Sequence, residues 1–418
     1  MTTLTSQVQD FRNNFRVVSY PLKIHAGLNA LDHLPSELSR LGVRTAVVLC
    51  GRTLRVETRL IDRILELAGT RIGGVIDYLR AGAPRADIER ASAEAKALGA
   101  DCLIAVGAGS VTMAARVVAM FMAEHAPAEE LCTRFQPDGT ADTVRLDAAK
   151  CPILNVITAA TSSQNRAGSS IRDGERQMEF FDPKTKPRAV FWDAEALMTA
   201  PASLVRSAVA LEFWWGLMNI ASVGIENPLV RADRTGAWDI AKRLAEKPDM
   251  SWNWMERQEL CAASLLRTRD EDDGGAPLGG RPMHAHVITR ATYMLSAAVF
   301  NAHPTTSQPE LMVGLCGTAI RIMGSLVPDV VRNMATALGI KTSAYSEISP
   351  IMVAEAYENA VNKFGYKAQL RTLGVNEGDV AGLVEKSFRI FNCNADGRMN
   401  QYEDKLHEIL FAHLGEAA

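Results

Sequence analysis

Between residues 45 and 193 short runs of consecutive apolar residues alternate with longer stretches in which apolar positions recur every three or four residues. The first kind predicts strands buried on both faces, the second predicts amphipathic helices, and their alternation predicts a parallel sheet. Thr45 to Cys50 reads as a strand ending at Gly51, and Val56 to Leu67 as the helix after it. Ile72 to Tyr78 is the next strand, Pro84 to about Leu98 a helix, and Cys102 to Val106 the third strand. A long connection, Ala126 to Lys150, carries the turn signal Pro137-Asp138-Gly139 before Pro152 to Ile157 resumes the sheet, and Val190 to Asp193 closes it. After Pro201 helical periodicity takes over: Ser203 to Ser222, Trp252 to Leu266, Ile288 to Ala302, Leu311 to Met323, and further helices to Leu414. Asp270 to Gly280 is acidic and glycine-rich and reads as a solvated loop. The change of pattern places a boundary near residue 198, with an α/β part over 1–198, an all-α part over 199–418, and a cleft between them as the expected active site.

Composition narrows the function little. The 418 residues are 47% hydrophobic and 22% charged, with a formal net charge of −3. There is no basic excess or aromatic-interleaved basic patch, so a nucleic-acid partner is not expected. The polar N-terminus and the glycines that interrupt the apolar run 102–122 argue for a cytoplasmic protein and no membrane partner. Seven scattered cysteines without a C-x-x-C pair read as reduced core residues.

One junction carries chemistry. Strand Cys102 to Val106 runs through Gly107-Ala108-Gly109-Ser110 into the helix Val111 to Phe121. Glycines let backbone N–H groups approach an anion, and the helix N-terminus adds unpaired donors and a positive dipole end. A second junction, Ile157-Thr158-Ala159-Ala160-Thr161-Ser162-Ser163-Gln164-Asn165, places small hydroxyl side chains after a buried strand, where they can meet a sugar or phosphate or cap the next element.

These two segments and Val190 to Pro201, in this order, resemble the iron-containing alcohol dehydrogenase superfamily, especially its maleylacetate reductase-like branch, with dehydroquinate synthase more distant. The resemblance runs from Ile24 to the last helix. It implies a Rossmann-like N-terminal domain, an all-α C-terminal domain, a homodimer, and a nicotinamide cofactor, NAD or NADP. By that resemblance Gly51, Gly107, Ala108, Gly109, Ser110, Thr158, Ala159, Thr161 and Ser162 bind the cofactor. The family's Gly-Gly-Gly-Ser-x-x-Asp-x-x-Lys stands here with Met113 for the Asp and Arg116 for the Lys. Arg52, where an acidic residue would repel a 2′-phosphate, tolerates NADP.

The resemblance also implies a metal held by an Asp and a His four residues later, with two further His downstream. Leu211 and Trp215 occupy the first two positions, and Glu212 serves only if the register slips. His284, His286 and His303 are the histidines in the downstream region, and Tyr293 falls near one expected ligand. No metal is expected. A different group must then exchange the substrate's proton. His303, His286 and Tyr293 are the catalytic candidates, His303 first because an imidazole exchanges protons near neutral pH. Asn165, Arg166, Glu212 and Trp215 are the substrate candidates, with Arg166 suited to a bidentate carboxylate pair.

The expected activity is NAD(P)-dependent hydride transfer on a small hydroxy- or oxo-acid. Two alternatives stay open. One is oxidative decarboxylation of a β-hydroxy acid at the C-terminal threonine of a modified peptide. The other is a non-catalytic nucleotide-binding partner subunit.

Overall fold

The computed structural model describes all residues except 1–16, 19, 136–140, 175, 223–226, 270–284, 304, 342–346, 367–368, 395 and 415–418. The N-terminal segment, the Pro137-Asp138-Gly139 turn, the Asp270 to Gly280 loop and His284 therefore lie outside or largely outside the described residues. Six parallel strands form the central sheet: β1 (Lys23–Gly27), β2 (Ala46–Leu49), β3 (Ile72–Ile76), β4 (Cys102–Gly107), β5 (Ile153–Ile157) and, last in the chain, Ala189–Asp193. Between β5 and that last strand an antiparallel hairpin intervenes, β6 (Gly168–Asp173) and β7 (Arg176–Phe181), so the last strand is β8. The sheet order is β1-β8-β5-β4-β2-β3. Strands β2, β4, β5 and β8 are buried along their whole length, as their unbroken apolar runs require.

Two cores cover the sheet. On one face α1 (Arg85–Ala97) and α2 (Gly109–Ala123) join Val47, Leu49, Leu103 and Ala105. On the other, Leu34, Leu38, Leu60, Ile61 and Ile64 pack on Val48, Ile104, Val156 and Phe191. The helix expected over Val56 to Leu67 is two pieces, Arg52–Glu57 and Leu60–Ala68, broken at an extended Thr58. From β2 the chain moves outward to β3, whereas from β4 it crosses to β5 on the opposite side. The loops leaving β2 at Gly51 and β4 at Gly107 therefore diverge. That divergence opens a crevice at the carboxyl ends of the strands, the place where open α/β sheets bind ligands.

The rest is helical, including α3 (Ala202–Ile220), α4 (Trp254–Arg269), α5 (Val287–Ala302) and α6 (Gln308–Met323). One large apolar core joins these helices, from Val205 to Leu414. Ala159 belongs to that core, and Ala108 and Ala160 pack against it, so the two crevice loops are seated against the helical part. No described helix is long and apolar enough to cross a membrane.

Candidate active site

The turn after β4 has the form its sequence demands. Gly107 has φ +155°, and a Cβ there would stand 2.9 Å from Val111 Cγ2. Gly109 opens α2 with ordinary dihedral space, but a Cβ on it would lie 3.1 Å from Thr161 Oγ1. The two junctions thus face each other at van der Waals distance, and the first-turn N–H groups of α2 point out with no intrahelical acceptor. Thr158 N–H donates to Gly107 O at 3.2 Å, and Gly82 N–H donates to Ser110 Oγ at 3.0 Å. Gly51 borders the same crevice, where a Cβ would meet Leu79 O at 3.2 Å. A cradle in which extra atoms have no room, lined by backbone N–H, fits a dinucleotide's phosphates. Arg52 extends into solvent and pairs with Asp77 at 2.5 Å.

Arg116 shows how the turn is held. It is 1% exposed and has no carboxylate partner among the described residues. Its guanidinium donates to Ser163 O (2.5 Å), Ser163 Oγ (2.7 Å) and Ser169 Oγ (2.8 Å), tying α2 to the second junction. Burial, with repulsion from Arg166, lowers its pKa to about 9. Met113 contributes its carbonyl, which accepts from Ser169 Oγ. Thr161 Oγ1 accepts from Ser163 N–H, starting a 3-10 turn over Ser162–Gln164. Gln164 is fully buried between Trp192 Nε1, which donates to its Oε1, and the Cys261 carbonyl, which accepts from its Nε2.

The substrate candidates follow from that loop into the helical part. Asn165 Oδ1 accepts from Thr268 Oγ1 at 2.9 Å. Next to Thr268, Arg267 forms a two-bond pair with Glu212, 2.7 and 2.9 Å, both residues 3% exposed. Arg267 also lies over the Trp215 ring, whose other neighbours are Trp214 and Tyr293. Asn165, Glu212, Trp215 and Tyr293 therefore form one connected group. Both oxygens of Glu212 are engaged, so it is a structural counter-ion and not the open carboxylate expected. Arg166 is different: its Nε and Nη2 are buried and, among the described residues, donate to no hydrogen-bond acceptor.

The two histidines are not brought together. They flank the ends of α5, roughly 25 Å apart at 1.5 Å rise per residue. His286 is the N-cap of α5, accepting from Thr289 N–H, and burial lowers its pKa to about 4. A ring kept neutral in this way is a poor acid near pH 7, a correction to its place among the acid/base candidates. Because the unfolded state takes up this proton first, stability is expected to be level above about pH 6.5 and to fall as pH drops from 6.5 towards 4. His286→Asn, which also caps, should remove that slope in acid-unfolding curves. His303 ends α5 on the other side, half-buried, one turn after Phe300, which lies against Arg172 of the hairpin.

Leu211 and Trp215, where the resemblance puts metal ligands, offer no donor atom suited to a metal. Among the described residues no group of three or more His, Cys, Asp or Glu is placed to hold one.

Comparison with known proteins agrees with this architecture. A family model described as iron-containing alcohol dehydrogenase matches residues 21–194. A 4-hydroxybutyrate dehydrogenase of Cupriavidus necator is 25% identical over 345 residues, 78% of this chain and 87% of that protein. The chain is thus similar to the iron-containing alcohol dehydrogenases, by family model over residues 21–194 and at low identity over most of its length. Over a shorter span, maleylacetate reductase 2 of Cupriavidus pinatubonensis is 33% identical over 108 residues, 26% of this chain and 29% of that protein. The likeness of fold extends over nearly the whole chain. The crystal structure of NADH-dependent butanol dehydrogenase A from Thermotoga maritima superposes with a TM-score of 0.78 at 17% identity, covering 97% of this chain and 99% of that one.

Sequence reasoning missed Arg172, Ser170 and the hairpin that carries them. The signal was present: Asp173-Gly174, with Gly174 at φ +61°, stands between segments that alternate in burial.

Proposed function

We propose that this oxidoreductase moves hydride between the hydroxyl or carbonyl carbon of a small hydroxy- or oxo-acid and a nicotinamide cofactor, without a metal ion. The observation that carries the reading is Arg166, whose Nε and Nη2 are buried without a hydrogen-bond partner, taken together with the intact glycine turn. A buried cation without an acceptor is costly to maintain, and a carboxylate presented in the cleft would satisfy it with two charge-assisted hydrogen bonds. Bound at Gly107 to Ser110 and Thr158 to Ser162, the nicotinamide cofactor would supply the hydride acceptor or donor. The relatives' names, a 4-hydroxybutyrate dehydrogenase and a maleylacetate reductase, support an acid substrate.

The chain's own residues supply the remainder. Arg166 orients the substrate by its carboxylate, and Trp215 and Tyr293 give an aromatic wall that excludes water. His303 is the group assigned to exchange the proton of the substrate oxygen. Among the described residues the donor set does not fit a metal: Leu211 and Trp215 cannot ligate, and Glu212 is occupied by Arg267. Stabilisation of the substrate oxygen therefore rests on hydrogen-bond donors.

Oxidation of short hydroxy acids and of the matching alcohols, with NAD⁺ and NADP⁺ in the presence of a chelator, tests this. The acids should be turned over in preference. Arg166→Gln should raise KM for the acid about 10- to 100-fold, as expected for loss of a charge-assisted pair, with a smaller change in kcat. Preference for the alcohols, or an unchanged KM in the variant, would contradict the reading.

A further inference from the structure

Strand β6 presents two faces. Ser169 and Ile171 face the α/β core: Ser169 Oγ bridges Arg116 Nε and Met113 O, and Ile171 is 1% exposed among α1 and α2 side chains. Ser170 and Arg172 occupy the opposite face, as the two-residue period of a strand requires. Ser170 Oγ is buried and has no hydrogen-bond partner. The Arg172 guanidinium lies 4.7 Å from the centroid of the Phe300 ring, on the last turn of α5, and 3.3 Å from where a Cβ on Gly82 would stand. Among the described residues no carboxylate or other acceptor takes its side-chain donors. Its pKa is lowered by burial.

The neighbouring acids are engaged elsewhere. Asp173 pairs with Arg85, and Glu179, cross-strand from Ser170, has a partner other than Arg172. The position of Arg172 is set by the site itself. Its backbone N–H donates to Ala83 O, and the adjacent Gly82 N–H donates to Ser110 of the glycine turn. A half-buried fork of donors therefore stands beside the phosphate turn, walled by an aromatic ring of the helical part and accompanied by an orphan hydroxyl.

We infer that Ser170 and Arg172 form a second anion position in the cleft, separate from Arg166, that takes a phosphate or carboxylate oxyanion. Two sources share this chemistry: a phosphate group of the bound dinucleotide, which the link through Gly82 to Ser110 favours, and a second acid group on the substrate. The inference rests on the nicotinamide reading of the site.

Titration of the full-length protein and its Arg172→Gln and Ser170→Ala variants with NADH, NADPH, pyrophosphate and succinate, followed by intrinsic fluorescence, tests it. Loss of about tenfold or more in affinity for pyrophosphate and a dinucleotide in the Arg172 variant supports the position and assigns it to the cofactor. Loss for succinate alone supports it and assigns it to the substrate. Affinities equal to wild type for all four probes in both variants overturn it. If wild type binds neither dinucleotide the nicotinamide reading fails. In that case the anion position stands only if pyrophosphate or succinate still binds wild type and is weakened by Arg172→Gln, and falls otherwise. Arg172 is only half-buried on a hairpin, and an unchanged unfolding midpoint in each variant separates a binding loss from a folding defect.

Discussion

Glu212→Ala will lower the stability of the protein by about 3–5 kcal/mol, the cost of leaving one member of a buried ion pair uncompensated. Arg267 and Glu212 are each 3% exposed and share two hydrogen bonds of 2.7 and 2.9 Å. Without the carboxylate, the guanidinium keeps its cation–π contact with Trp215 but loses its only counter-charge among the described residues. The defect should spread to the site. Helix α4, which carries Arg267, also holds the second junction through Thr268 to Asn165 and through the Cys261 carbonyl to Gln164. A double variant, Glu212→Leu with Arg267→Met, replaces both charges by apolar volume and should recover much of the loss. Denaturant titration of the three proteins decides this; a single variant as stable as wild type would mean that the pair contributes little.

Gly109→Val will abolish nucleotide binding while leaving the fold intact. At Gly109 the obstacle is local: a Cβ already lies 3.1 Å from Thr161 Oγ1, and two further methyl groups must push Thr161 away or occupy the space in front of the α2 N–H groups. Either outcome closes the cradle from the side on which a phosphate must enter. Because Gly109 is the first residue of α2 and its φ is in the ordinary range, the helix itself tolerates the change. Affinity for NADH and NADPH should fall by about 100-fold or more, the effect of removing several charge-assisted contacts together. Circular dichroism should match wild type, and binding that survives would place the cofactor elsewhere.

The parts of the fold that could be read from the sequence are those in which local pattern and tertiary burial agree. Strands β2, β4, β5 and β8 are apolar on both faces, so their unbroken runs mark them, and the glycine turn is visible because its conformation excludes side chains. The hairpin β6–β7 was overlooked because its cleft face is Ser170 and Arg172, residues whose polarity suggests a loop; only Ile171, Met178 and Phe180 on the other face reveal it. On the side of the glycine turn the candidate site was legible for the same reason. On the substrate side it was not. The partner that occupies Glu212 stands 55 residues later on another helix, and no local signal shows that His286 caps a helix while Arg166 is left without an acceptor. Availability of a charged side chain is a property of its neighbours in space.

In the proposed function the cofactor half of this site is intact and no metal is required. Titrating chelator-treated wild-type protein with NADH and NADPH, with Gly109→Val as the control and iron and zinc measured in the same sample, tests it most directly. Saturable fluorescence changes are expected for at least one dinucleotide, absent in the variant, with metal far below one ion per chain. Failure to bind either dinucleotide, or binding and turnover that appear only when iron or zinc is restored, would contradict it.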